Sequence, residues 1–428
     1  MGWICLIVLG ITLALSFPIA MCLGIASLAG VLYTSSDLLV TLPQRFLAGI
    51  DSFPLLAIPL FILAGQIMGQ GGIARRIVDL AMVFVGRIRG GLGMVSILST
   101  MLFSGISGSS SADTAAIGSI TLPAMKKKGY PKRFATALVA AAGGTASLVP
   151  PSIDFIIIGV VANISIGGLF AAGFLPGAVN GIAIMALVYY YGRKLNLPLE
   201  PPIPLKAKLW KILDGMISIF MAVIILGGIL LGITTPTEAS AVAVVYGLLV
   251  SLLIYKELKL SDLPGILLRS AQLTGIVMLV LGMASIFSFV LTFERIPHLI
   301  GEFIVEYSGN WIVFVIFVNV LFLFLGMIMD GLAALIVLMP IIVPAAVSLG
   351  MEPIHIGILC ANNIGISMIS PPVGVCLYVA CGLSDLSIEE VIRPLIPFLL
   401  VLLGTLLVIS YVPSITLMLP RLLGYVGG

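Results

Sequence analysis

Charge is what this sequence has least of. Of its 428 residues, 21 are Lys or Arg and 18 are Asp or Glu, a charged share of 9%, where a soluble globular domain carries about 25%. Too little charge is present to keep an ordinary surface in water, which excludes the soluble classes. The net charge of +3 is small and dispersed, which argues against a nucleic-acid partner. The five cysteines (Cys5, Cys22, Cys360, Cys376 and Cys381) lie in apolar stretches without metal-ligand or disulfide spacing. They read as small buried hydrophobes, and a zinc or redox role is excluded on that ground. The first apolar stretch has neither a basic lead-in nor a small-residue cleavage site, so it reads as a retained membrane segment.

What is present is apolar: 60% of the residues are hydrophobic and the mean hydropathy is +1.25. The expectation is an all-α polytopic membrane protein whose solvent is lipid. A helical crossing needs ~20 apolar residues, and segments 54–70, 166–191, 215–233, 236–255, 275–293 and 394–418 meet that need. The opening stretch 3–33 is interrupted by Ser16-Phe17-Pro18 and splits into two helices there. Segments 92–125, 134–162, 311–346 and 354–382 are too long for a simple span and too punctuated by Gly, Ser, Asn and Pro for a continuous helix.

Basic residues mark cytoplasmic loops. Lys126-Lys127-Lys128 with Lys132-Arg133 is the strongest cluster, and Arg75-Arg76, Arg87/Arg89, Arg193-Lys194, Lys206/Lys208/Lys211 and Lys256/Lys259 agree with it. Loops 34–52, 294–310 and 347–355 are poor in basic residues and belong outside, which also makes both termini periplasmic. Arg87/Arg89 and Lys126 then share one side although an apolar run separates them. Segments 92–125 and 311–346 are therefore re-entrant hairpins, the first entering from the cytoplasm and the second from outside.

The sequence repeats itself. Asp113 and Pro123 recur as Asp330 and Pro340, and Gly65 as Gly282, all at an offset of 217; Pro18 and Pro236 differ by 218. The stretch from Gly143-Gly144-Thr145 to Pro150-Pro151 has a counterpart from Asn363 to Pro371-Pro372. Residues 1–200 form one unit and residues 201–428 the second, each with five crossings (one broken) plus one hairpin. Five is odd, so the second unit is inverted. Inverted repeats with broken helices meeting at the midplane are the mark of secondary transporters.

The first hairpin turns at Gly105-Ile106-Ser107-Gly108-Ser109-Ser110-Ser111-Ala112-Asp113-Thr114. Small residues let helices pack closely, but five hydroxyls in eight residues exceed what packing requires. Irregular backbone at membrane depth persists only where it is buried in protein or lines a cavity, and its open helix ends offer N–H groups to anions and carbonyls to cations. The break at 143–152 is expected to face this turn. Gly326-Met327-Ile328-Met329-Asp330-Gly331 makes the matching turn, and Asn362-Asn363 through Pro371-Pro372 the matching break. Each hairpin-and-break pair reads as one cation site, with the solute between the pairs. Asp330 also suits a helix N-cap, Glu238 a helix first turn, and Arg295 an interfacial pair with Glu294.

Gly105-Ile106-Ser107-Gly108 also matches the short pattern around the nucleophile of serine-type intramembrane proteases. That chemistry needs a histidine within reach, and the two histidines, His298 and His355, fall in expected outer loops. An enzyme is therefore not expected. An ion channel would need a lined pore, whereas paired hairpins favour alternating access.

The run from Ser107 to Gly118, Pro123-Ala124-Met125, Gly129-Tyr130, Pro150-Pro151-Ser152, Thr235-Pro236-Thr237-Glu238-Ala239 and Pro371-Pro372-Val373-Gly374 together resemble the large membrane subunit of the tripartite ATP-independent periplasmic (TRAP) transporters. The resemblance covers essentially the whole chain. It implies an elevator-type transporter with scaffold and transport domains interleaved through both repeats, in the cytoplasmic membrane of a bacterium or archaeon. It implies two partners, a separate small four-helix membrane subunit and a soluble periplasmic binding protein, and no cofactor beyond Na+ as coupling ion. The cargo it implies is a carboxylate, such as a C4-dicarboxylate, a sialic acid, another sugar acid or a keto acid; the alternative is a stand-alone sodium–carboxylate symporter. Carried residue by residue, sodium coordination falls on Ser107, Gly108, Ser109, Ser110, Ser111, Gly144, Thr145, Ser147 and Pro150 in the first half. In the second half it falls on Gly326, Met327, Asp330, Asn363, Ser367 and Ser370. Ser107, Ser109, Ser152, Arg295 and Asp330 become solute contacts.

Overall fold

The computed structural model describes residues 2–15, 17–34, 36–294, 310–329 and 331–426. Among them every regular element is helical, and eight helices are long and apolar enough to cross a membrane. The chain is a multi-pass membrane protein.

Helix breakers set the element boundaries. Pro18 separates α1 (Gly2–Ala14) from α2 (Ile19–Thr34). After α3 (Thr41–Ile50), α4 (Ala57–Gln70) and α5 (Ile73–Val85), the first hairpin pairs α6 (Gly91–Ser107) with α7 (Ser110–Lys127). Gly108 turns it at φ +67°, a left-handed conformation that costs glycine little. The first broken helix is α8 (Lys132–Ala146) and α9 (Ile153–Val161), interrupted at Pro150-Pro151, and α10 (Ile166–Lys194) closes this half. The second half runs α11 (Leu205–Leu230), α12 (Pro236–Leu249) and α13 (Leu263–Phe293). Next come the hairpin helices α14 (Trp311–Ile328) and α15 (Gly331–Ser348), and the broken pair α16 (Pro353–Ser367) and α17 (Val375–Ser384) around Pro371-Pro372. Last are α18 (Ile388–Tyr411) and α19 (Pro413–Leu422).

The helices pack as two groups. In one, α4 lies on α12, α2 and α3 lie on α13, and α11 lies on α5 and α12. In the other, α6, α7 and α8 pack mutually, α16 packs on α14, α15 and α8, α17 packs on α7 and α8, and α18 and α19 flank α10. Helix α5 touches both groups. Its Arg76 reaches Asp214 at 3.2 Å and Glu257 at 2.7 Å while stacking 3.6 Å from the centre of the Tyr255 ring. Lys211 reaches Asp79 at 2.6 Å. These contacts fasten α5 to the end of α11.

Several expected boundaries move. The region 34–52 is not a plain loop: Ser36–Val40 is a 3-10 turn and Thr41–Ile50 is α3, a ten-residue helix that lies along α13 instead of crossing. Arg75-Arg76 sit on the amphipathic α5, and Lys206, Lys208 and Lys211 on an α11 that starts ten residues before the expected span. The expected span 394–418 is two helices. It starts earlier, at a Ser387–Glu390 capping box that satisfies the first free N–H groups, and it is cut before Pro413. His355 is not in a loop. It is buried in the first turn of α16, with Nδ1 2.7 Å from Thr416 Oγ1 and Nε2 3.3 Å from the Ser410 carbonyl. Glu238 makes the expected first-turn contact, in a capping box with Thr235.

Candidate functional site

The first hairpin tip and the first break form one unit. The Gly108 carbonyl accepts from the Ile153 N–H at 3.1 Å, and Ser104 Oγ donates to the Ala146 carbonyl at 2.8 Å. The break presents carbonyls to the tip: an added Cβ would lie 3.5 Å from the Pro150 oxygen at Gly105 and 3.2 Å from the Pro151 oxygen at Gly108. Tip and break thus approach closely, with backbone meeting backbone at the Gly108–Ile153 hydrogen bond. Both Pro150-Pro151 and Pro371-Pro372 are cis.

Asp113 stands in the first turn of α7 and is fully buried. Ser107 Oγ donates to its Oδ1, and Ser107 Oγ in turn accepts from the Ser109 N–H at 3.2 Å. Asp113 Oδ2 is buried without a hydrogen-bond partner, and so is Ser152 Oγ beside the break. An unmatched carboxylate oxygen in a dry interior is costly unless a cation or proton meets it. Of the remaining first-half candidates, Thr145 Oγ1 turns back to the Ala142 carbonyl at 2.7 Å and Ser147 Oγ to the Gly144 carbonyl at 3.1 Å. Ser109 and Ser111 hydroxyls lie 3.5 Å apart, while Ser110 between them is buried.

The second hairpin packs its glycines against side chains at the end of α16, just before the second break. A Cβ on Gly326 would come within 2.3 Å of Ser367 Oγ, and one on Gly331 within 2.3 Å of the Ile364 side chain. Met327 is half-buried beside this contact. Ser367 Oγ donates to the Ile364 carbonyl at 2.8 Å and Ser370 Oγ to the Ile366 carbonyl at 2.9 Å. Asn363 Nδ2 donates to Asn319 Oδ1 at 2.8 Å, Asn319 Nδ2 to Ser410 Oγ at 3.1 Å, and Asn363 Oδ1 is buried without a partner. Arg295, Asp330 and His298 lie outside the described residues.

Where the two pairs pack together, their backbones touch. A Cβ on Gly144 would fall 2.6 Å from the Gly365 carbonyl oxygen, and one on Gly365 2.4 Å from the Gly144 oxygen. Two broken helices thus cross backbone to backbone.

Beside the first tip, between the two helix groups, opens a cavity of about 490 Å³. Ser107, Ser109, Ser111 and Ala112 line it from the hairpin, Gln66 and Ile62 from α4, Val277 and Val280 from α13, and Leu332, Ile336, Val375 and Val379 from α15 and α17. The start of α7 faces it, with N–H groups that no intrahelical carbonyl can reach. Pockets of this size suit a small organic ligand. Of the expected solute contacts among the described residues, Ser107 and Ser109 line it and Ser152 does not. Ser152, Asn363, Ser367 and Ser370 are buried away from it. Sequence reasoning passed over Gln66 and the ligand potential of Asp113. A polar side chain in mid-span and the only carboxylate in the serine turn were the available signals.

Known proteins share this architecture. The family model of the tripartite ATP-independent periplasmic transporter, DctM component, matches residues 5–415. The C4-dicarboxylate TRAP transporter large permease protein DctM of Pseudomonas aeruginosa is 39% identical over 402 residues, 94% of each chain. The isethionate TRAP transporter permease protein DctMQ of Oleidesulfovibrio alaskensis is also 39% identical, over 94% of this chain, which spans only 64% of that longer protein. Among solved structures, the Alcanivorax borkumensis YdaH transporter superposes with a TM-score of 0.59 at 14% identity, over 88% of this chain and 89% of that one, a likeness of fold alone.

Proposed function

This chain belongs to the tripartite ATP-independent periplasmic transporter family as a DctM component, a permease and not an enzyme, and from that premise we propose that it carries out sodium-coupled uptake of a small organic anion delivered by a periplasmic binding protein. A small membrane subunit completes the transporter, as the fused relative's composite name supports. The observation that carries the reading is the bare Asp113 Oδ2 in a tip-and-break unit whose serine side opens onto a cavity. Sodium is a hard cation that takes oxygen ligands. Asp113, the Ser107 hydroxyl and the carbonyls of Pro150 and Pro151 supply such oxygens from three chain segments that sodium would hold together. The anion then lies against Ser107, Ser109, Ser111, Gln66 and the start of α7, where free N–H groups and the helix dipole favour negative charge.

Coupling follows because one turn serves both ligands. Sodium orders the serine turn and so lowers the cost of seating the anion; the anion favours sodium by the same factor. The second pair, around Gly326, Asn363 and Ser367, is the equivalent unit of an inverted copy. The group containing α6 to α10 and α14 to α19 is the moving transport domain, and the group around α4, α12 and α13 is the scaffold. The cavity lies between them, where a sliding domain exposes its cargo to one side and then the other. The cargo is a C4-dicarboxylate, a sialic acid or a related acid.

The test is uptake into proteoliposomes holding the chain with its small subunit, supplied with binding protein and a panel of labelled acids under an inward sodium gradient. Uptake of one acid that needs both sodium and binding protein is expected. Equal uptake without sodium overturns the coupling. Full uptake by the purified chain alone turns the reading to a stand-alone sodium–carboxylate symporter.

A further inference from the structure

A second cavity, of about 610 Å³, adjoins the site above. It lies between the same two helix groups but farther along α13. The hairpin cavity takes its α13 lining from residues 273–280 and this one from residues 281–293, with Ile336 of α15 shared. The midpoints of those stretches are roughly ten residues apart, or about 15 Å at the helical rise of 1.5 Å per residue. By the distribution of basic residues, this second cavity is on the outer side.

Its chemistry differs from that of the hairpin cavity. Among the described residues, no Lys or Arg lines the hairpin cavity, whereas Arg45 of α3 lines the outer one together with Ser285, Ser288 and Thr292. The Arg45 guanidinium carbon stands 4.5 Å from the centre of the Phe289 ring. A ring on one face leaves the N–H groups along the guanidinium edge, which match a carboxylate in two-pronged fashion. The backbone that bears Arg45 is tightly seated. A Cβ on Gly49 would lie 2.3 Å from Ser285 Cβ, one on Gly282 2.4 Å from the Phe46 ring, and Ser285 Oγ donates to the Arg45 carbonyl at 3.0 Å. Helix α3 therefore cannot lift off α13 without losing these contacts.

We propose that Arg45 and the hydroxyls around it form an outer-side anchor for the carboxylate of the cargo, fixed to the non-moving group of helices. The inference rests on the uptake reading above. An anion at the outer level meets a guanidinium; one at the level of the hairpin cavity meets, among the described side chains, neutral donors beside the proposed sodium. The transported anion is held more firmly on the outer side, where it must be captured, and loses that partner as it descends, where it must be released.

Two measurements on the assembled transporter decide it. The first needs no transport: Ser288→Cys is labelled with an anionic and a cationic methanethiosulfonate, against a background in which all five native cysteines are buried. The anionic reagent is expected to react about tenfold faster relative to the cationic one than it does after Arg45→Gln. The second is uptake of the best acid from the panel. Arg45→Gln raises its half-saturating concentration about tenfold with a maximal rate within about threefold of wild type, Arg45→Lys recovers part of the loss, and Phe289→Leu shifts it about threefold. An unchanged labelling ratio overturns the anchor. So does a fall in maximal rate at unchanged half-saturation, which would mark a merely structural role. Absence of uptake in the wild type, with the labelling difference intact, instead overturns the uptake reading.

Discussion

The two hairpin-and-break pairs share a backbone plan and differ in what they do with polar side chains. In the first, the polar groups converge on the turn itself: a buried carboxylate, the hydroxyl that binds it, and serines that face a cavity. In the second, the described polar groups run away from the turn as a neutral chain, Asn363 to Asn319 to the Ser410 hydroxyl, with His355 next to the Ser410 carbonyl and the Thr416 hydroxyl. One fold thus serves two ends. Among the described residues, the polar groups of the first pair gather at a turn that lines a cavity, and those of the second link α14, α16, α18 and α19.

That contrast sets an order of sensitivity. The largest effect is expected at Asp113→Ala, with sodium-dependent uptake falling by at least about 100-fold in proteoliposomes while the protein elutes as folded material. Retained uptake would place the cation elsewhere. Ser107→Ala, which removes the partner of that carboxylate, is expected to lower uptake about tenfold or more and to weaken sodium dependence. Gly365→Ala forces a methyl against the Gly144 carbonyl and should cost about 1–3 kcal/mol, read as a lowered unfolding temperature in detergent. Asn319→Ala cuts the neutral chain and should cost about 1 kcal/mol while leaving the sodium concentration for half-maximal uptake within about twofold of wild type. A large shift there would erase the difference between the pairs. The smallest effect is expected at Ser387→Ala, which opens the capping box of α18 for about 1 kcal/mol with uptake unchanged.

The hairpins, the breaks and the meeting of tip with break were legible because glycine, proline and clustered hydroxyls inside apolar runs have few meanings at membrane depth. What failed was whatever depends on a partner far along the chain. Helix α3 is ten residues long and seated on α13, so a search for runs of membrane-spanning length passes over it. His355 follows Pro353 closely and looked like loop; it is interior because Ser410 and Thr416 come to it. Asp113 was visible as a repeat marker, but that one of its oxygens is bare depends on how α8 returns beside α7. Lys211 looked like a plain topology marker, and only the fold shows it reaching Asp79.

The contact of Gly144 with Gly365 has a mechanical consequence. Side chains between two helices act as cushions that can tilt and slip, and here the two peptides touch directly, with Ser147 and Ile369 only flanking them, so a shift of one peptide presses on the other. The halves of the chain abut at that crossing, so any tightening of one break has the peptide of the other as its immediate neighbour.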